Sequence, residues 1–216
     1  MKTLWVFGDS HTAGHGCTPT FEYYKKYYIE GDKLWSQHLA EYLNFNLENK
    51  GRDGCSNDIM LDRIIEWFYD IKDGDVVIIG KTYSHRFDVP QKKKINSTFI
   101  GSLNSIFWNW DTSANDDILS QFTLDEKKCI VDFQYYFMTS PLFDERWVNR
   151  YNWIKRLLEE RGCRVIVWDV VKDLKGFQTI RMGTNNKIKD DHLSFQGHKD
   201  FFMYMLNKWF KEKSFI

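Results

Sequence analysis

The chain has 216 residues, a formal net charge of zero from 30 Lys plus Arg against 30 Asp plus Glu, 17% aromatic residues and three prolines. A chain of this length is most simply one domain, here 1–216, and buries roughly 70% of its unfolded surface, so its fold requires neither a disulfide nor a metal. The charge balance argues against a nucleic-acid partner held by phosphate neutralisation, and the basic run "QKKK" at 91–94 is expected to be a solvated loop.

The first element is a short buried strand at 3–7, "TLWVF", which stops at Gly8-Asp9-Ser10. A polar, tyrosine-rich connection follows. Leu34, Trp35, His38, Leu39, Tyr42 and Leu43 then recur at helical spacing, with His38 expected at the edge of the core. A second strand, "FNLEN" at 45–49, runs into the glycine-punctuated loop "KGRDGCSND". Ser56 or Asn57 caps the next helix, which carries Met60, Ile64, Trp67 and Ile71 and ends at Asp73-Gly74. The β-branched run "DVVIIG" at 75–80 predicts a parallel strand covered on both faces. From about 85 to 122 the periodicity fades, and the segment is an expected insertion, irregular or with a short helix, where substrate specificity would reside.

Thr123 and Glu126 have capping-box spacing and open a helix with Ile130, Phe133 and Phe137 on one face. Ser140-Pro141 begins another, with Phe143, Trp147, Tyr151, Ile154 and Leu157 in register and Gly162 closing it. "CRVIVWDV" at 163–170 is the fourth strand. Ser194 precedes a last helix bearing His198, Phe201, Met205, Leu206 and Trp209. The alternation of strands and helices predicts an α/β fold of three layers, α/β/α and flavodoxin-like, around a central parallel sheet. Right-handed crossovers bring the C-terminal ends of such strands to one edge, the usual place for a ligand.

Cysteines at 17, 55, 129 and 163 form no C-x-x-C pair, and their spacing points to reduced thiols. No apolar run approaches the roughly 18 residues of a membrane span, and the N-terminal run is too short for a secretory signal. The expectation is a soluble, cytoplasmic protein that meets neither membrane nor nucleic acid.

Four separated segments meet at the predicted sheet edge: Ser10 after the first strand, Gly51 and Gly54 after the second, Thr82 and Ser84 after the third, and His192 before the last helix. A serine nucleophile needs a base within hydrogen-bond reach and donors aimed at a developing oxyanion, and these loops supply both residue types. In Gly8-Asp9-Ser10, in "NKGRDG" and in His192-Leu193-Ser194-Phe195-Gln196-Gly197, the chain resembles the SGNH (GDSL-type) hydrolases. The resemblance runs from residue 3 to about 210, apart from the insertion.

It implies Ser10 as nucleophile, His192 as general base, and an oxyanion hole built from the Ser10 and Gly54 amides. The family's third block ends in Gly-x-Asn; in "GKTYSHR" Ser84 stands near that place, with Thr82 the second choice, and a hydroxyl donates less rigidly than an amide. Arg86, two residues on, either faces a substrate anion or forms an ion pair. The family's aspartate three residues before the histidine is Lys189 here; Asp190 is the choice for orienting the imidazole, with Asp191 adjacent. Asp9 is expected to tie down its loop. The implied reaction needs no cofactor or metal and cleaves a small acyl ester, such as an acetyl group on a small molecule or carbohydrate. The rivals are an O-acyltransferase using the same site, a binding module that has kept the fold and lost the reaction, and a metal hydrolase built on Asp9, His11 and His15.

Overall fold

The structure, a computed structural model, describes residues 1–14, 17, 32–84, 86–90, 103–106, 122–133, 141–177, 179–182 and 188–210. Its centre is a four-stranded parallel sheet of β1 (Thr3–Phe7), β2 (Asn46–Asn49), β3 (Val76–Lys81) and β6 (Arg164–Asp169), in the order β2-β1-β3-β6. Leu4 pairs with Leu47 on one side and with Val76 on the other, and Ile78 pairs with Ile166. This is the strand order of a flavodoxin-like sheet, whose switch point lies between β1 and β3.

Side chains alternate across each strand and divide the core into two halves. Trp5, Phe7, Val77 and Ile79 pack with Ile59, Met60 and Ile64 of α3 (Asn57–Glu66) and with Trp147, Tyr151, Ile154 and Leu158 of α5 (Pro141–Glu160). Leu4, Val6, Val76 and Ile78 face Trp35 and Leu39 of α2 (Trp35–Leu43) and Phe201 and Met205 of α7 (Phe195–Met205). Both faces of the sheet are therefore buried, which accounts for the unbroken apolar run of β3. Trp35 and Phe201 meet edge to face at 5.6 Å, a favoured aromatic geometry.

One polar group is built into the base of this core. Asp75, buried at the start of β3, accepts from the Thr3 amide at 2.8 Å, the Trp5 indole at 2.9 Å and the Lys72 amide at 2.9 Å. Three donors satisfy its carboxylate and lock β1 beside β3, as a buried charge requires.

The remaining elements are α1 (Ser10–Ala13), β4 (Phe87–Pro90), β5 (Leu103–Ile106), α4 (Leu124–Phe133), α6 (Val170–Asp173), β7 (Thr179–Met182), β8 (Ile188–Leu193) and a π-helical turn at Leu206–Phe210 that continues α7. Thr123 and Glu126 form the expected capping box: the Thr123 amide donates to Glu126 Oε2 at 2.8 Å, and the Glu126 amide to Thr123 Oγ1 at 3.3 Å. The helix that begins at Asn57 stops at Glu66, short of the apolar positions Trp67 and Ile71 that continue its period.

Two antiparallel hairpins depart from the sequence expectation. In the segment taken as irregular or helical, β4 pairs with β5, Phe87 opposite Ile106. His192, expected in a loop, lies on β8, which pairs with β7. Both pairings join short runs of mixed character, whose partners the local pattern does not specify. Residues 91–94, His15, Phe137 and Ser140 lie outside the described residues. Among the described residues no helix is long and apolar enough to cross a membrane.

Candidate active site at the β1–β3 edge

β1 ends at Phe7, and the chain turns at once into α1. Asp9 is the cap: its Oδ1 accepts from the His11 amide at 3.1 Å, and its carbonyl accepts from the Thr12 and Ala13 amides. A carboxylate satisfying the orphan amides of a first turn is the usual way to start a helix. The Ser10 amide, at the first helical position, lies outside this set of bonds. Ser10 is only 5% exposed. Its Oγ lies 2.7 Å from Nε2 of His192, a residue 182 positions away in sequence.

The imidazole is supported from behind. The His11 ring lies 4.8 Å from the His192 ring at an interplanar angle of 31°. Cys17 donates its thiol hydrogen to the Leu193 carbonyl at 3.2 Å, tying the segment beyond α1 to β8. Ser194 caps α7 through its hydroxyl, which accepts from the Gly197 amide at 3.1 Å. A further histidine, His198, is fully buried behind the site; burial, and then the nearby His11, His38 and His192, push its pKa down to about 3. It therefore stays neutral, and its Nδ1 accepts from the Trp35 amide at a long 3.5 Å.

The loop after β2 is laid directly on the turn that carries Ser10. The Lys50 amide donates to Val6 O at 2.8 Å, and the Arg52 amide to Gly8 O at 3.0 Å. Asn49 bridges the two segments, donating through Nδ2 to Thr12 O at 2.9 Å while Oδ1 accepts from the Gly51 amide at 2.9 Å. Gly51 has no room for a side chain: a Cβ would sit 2.5 Å from the Ala13 nitrogen. Gly54, further along this loop, has a φ of 68°, a conformation that favours glycine.

The rim of β3 completes the wall, and here the arrangement differs from the sequence expectation. The Thr82 hydroxyl donates to Asp9 Oδ2 at 2.7 Å and accepts from Arg86 Nη1 at 2.8 Å. Its single hydrogen is already engaged, so Thr82 has none for an oxyanion. The Arg86 guanidinium is directed at Asp9 Oδ2, 3.0 Å away, in an ion pair whose side chains are 6% and 0% exposed. Of the two readings of Arg86, the geometry is that of the ion pair. Ser84 is half-buried in the turn after β3. Asp190 and Asp191 are in the backbone of β8, but their side chains lie outside the described ones.

Sequence reasoning did not single out Asn57 and Tyr151 for this region. Asn57, read only as a possible cap, is fully buried. Its Oδ1 accepts from the Thr82 amide at 3.0 Å and the Tyr151 hydroxyl at 2.6 Å, while Nδ2 donates to Thr82 O at 3.2 Å. Burial pushes the Tyr151 hydroxyl well above its ordinary range, so it remains a donor. Tyr151 stands on the apolar stripe of its helix, and no local feature separates it from a purely hydrophobic ring. Among the described residues, no group of three or more His, Cys, Asp or Glu is disposed to hold a metal ion. Asp9, one of three residues considered for a metal, is already enclosed by Thr82 and Arg86.

No protein-family model matches the chain, and no curated protein matches it. Solved structures do resemble it. GDSL-family lipolytic proteins are among them. A G-D-S-L family protein from Desulfitobacterium hafniense DCB-2 is 14% identical with a TM-score of 0.37, over 96% of this chain and 99% of the other. A member of the lipolytic protein G-D-S-L family from Veillonella parvula DSM 2008 is 15% identical with a TM-score of 0.39, over 99% and 100%. A carbohydrate esterase whose active site displays divergent catalytic and non-catalytic binding functions is 12% identical with a TM-score of 0.39, over 95% of this chain and 64% of that one. Likeness of this degree carries no chemistry from those proteins to this one.

Proposed function

We propose that the chain is a serine-dependent ester hydrolase of the SGNH (GDSL) type acting on small acyl esters. The observation that carries this reading is the 2.7 Å approach of Ser10 Oγ to His192 Nε2 at the edge where β1 and β3 end. A nucleophile and base in direct hydrogen-bond contact are the minimum for acyl transfer. The three sequence blocks around Ser10, Gly54 and His192 support the same assignment.

In this reading His192 Nε2 removes the Ser10 proton as Oγ bonds to the ester carbonyl carbon. The Ser10 and Gly54 amides hold the oxyanion, with Ser84 as the side-chain donor. Collapse of the tetrahedral adduct breaks the bond to the alcohol, which takes the proton back from His192 as it leaves. Water then attacks the acyl-serine with His192 again as base, and the free acid departs. Asp190 is assigned to the orienting position on the other ring nitrogen. Small acetyl esters, including those on carbohydrate, are the first substrate class to test.

The test is Ser10→Ala assayed on p-nitrophenyl acetate, together with labelling of the intact chain by a fluorophosphonate. Turnover is expected to fall at least 1000-fold with the fold unchanged, and the label to be found on Ser10. Full activity in Ser10→Ala would refute the mechanism. Folded wild-type protein that neither turns over nor labels would favour the binding-module reading.

A further inference from the structure

The acid beside the nucleophile is held in an unusual way. Asp9 is fully buried, and its two oxygens serve different elements. Oδ1 caps α1 through the His11 amide, while Oδ2 crosses to the β3 rim, where it meets the Thr82 hydroxyl at 2.7 Å and Arg86 Nη1 at 3.0 Å. The same guanidinium nitrogen also donates to the Cys55 carbonyl at 3.3 Å. One cationic group thus touches the turn that carries Ser10, the loop that carries Gly54, and the segment that closes the site after β3. Hydrogen bonds between charged partners are the strong ones, and a guanidinium presents its donors in a fixed plane. Asp9 is removed from water, and this contact gives its carboxylate a directly hydrogen-bonded cationic partner.

Resting on the serine-hydrolase reading above, we infer that Arg86 is a positioning residue for the nucleophile: through Asp9 and Cys55 it fixes the Ser10 turn and the Gly54 loop relative to His192. Thr82, the second choice for the side-chain oxyanion donor, is here a member of the clamp, bonded to both Asp9 and Arg86. Arg86 is buried, 5% exposed, against Asp9, Thr82 and the Cys55 carbonyl. Its effect is on the distance between Ser10 Oγ and His192 Nε2 and therefore on rate, since a displacement of about 1 Å at a reacting centre costs about 100-fold.

The experiment compares wild type, Arg86→Met, Arg86→Lys and the double variant Asp9→Asn/Arg86→Met, each shown to be folded by circular dichroism at the assay temperature. Two readouts are taken. One is the rate of fluorophosphonate labelling and the kcat for p-nitrophenyl acetate. The other is the nitrogen-15 shift of His192 Nε2, which reads the bond from Ser10 without any substrate. Arg86→Met is expected to lose about 100-fold in labelling rate and kcat with KM nearly unchanged, and its His192 signal to move towards that of Ser10→Ala. Arg86→Lys keeps the charge and recovers to within about tenfold of wild type. The double variant, which removes both charges, recovers part of the loss and keeps the comparison available if Arg86→Met does not fold.

A folded Arg86→Met with the wild-type labelling rate and His192 signal overturns the inference. So does a loss confined to melting temperature, because a purely structural residue leaves the folded site unchanged. If wild type itself fails to label, the hydrolase reading falls, and the His192 signal alone decides whether Arg86 holds the Ser10–His192 pair.

Discussion

His198 offers a quantitative test of the packing behind the site. Its ring is enclosed between α2 and α7, burial lowers its pKa from an ordinary 6.5 to about 3, and the neighbouring His11, His38 and His192 push it the same way. In the unfolded chain it returns to 6.5, so below that pH the unfolded state takes up the proton first. The stability associated with the neutral ring is therefore complete above pH 6.5 and is lost as pH falls towards about 3. The loss grows at about 1.4 kcal/mol per pH unit below 6.5 and reaches about 2 kcal/mol between pH 8 and pH 5. With a urea m-value of about 2 kcal/mol/M for a chain of this size, the midpoint drops by about 1 M over that interval.

The variant is His198→Asn, whose side-chain oxygen takes the place of Nδ1 opposite the Trp35 amide without a titrating group. Urea midpoints at pH 8, 6.5 and 5, read by tryptophan fluorescence, are compared with wild type. Titrations elsewhere in the chain act on both proteins, so the difference between the two curves isolates His198. The wild-type advantage at pH 8 is expected to shrink by about 2 kcal/mol at pH 5. Parallel curves would show that His198 is not held as a buried neutral ring, and the account of the α2–α7 interface would fail.

The close approach of the β2 loop to α1 predicts that Gly51→Ala destabilises the protein by about 1–3 kcal/mol, the usual cost of overpacking, because backbone atoms of Thr12 and Ala13 must move. The same change should slow fluorophosphonate labelling of Ser10; a variant with wild-type midpoint and labelling rate would contradict the described contact. No disulfide joins the four cysteines; Cys129 is exposed and Cys17, Cys55 and Cys163 are buried, and burial is the main cause that pushes the Cys163 pKa up to about 11. Under native conditions at pH 8 a thiol reagent is accordingly expected to modify Cys129 fast and the other three only on unfolding, as counted by mass spectrometry. Rapid native modification of two or more sites would refute that burial pattern.

Local pattern alone determined a good deal of this protein. The unbroken apolar run of β3 specifies a strand buried on both faces, and the helical spacing of Trp147, Tyr151 and Ile154 specifies the face their helix buries, because a side chain's direction depends on its place in the period. The starts of α3 and α7 were legible from their capping serines: Ser56 and Ser194 each accept from an amide three residues on, Ile59 and Gly197. That Ser10 and Gly54 each follow a strand of one parallel sheet was legible from the alternation of strands and helices.

What the hydroxyls and charges at that edge do was decided only by tertiary structure. Arg86 meets Asp9 across 77 positions, and Thr82 meets it across 73. No local period encodes such a partner. A guanidinium beside a predicted active site reads equally well as a substrate clamp or an ion pair until burial selects one, because a buried carboxylate retains its charge only with a cation and a donor against it. The hairpin that carries His192 belongs to the same class, since a short polar strand is made by the strand it pairs with, and that pairing is visible only in the folded chain.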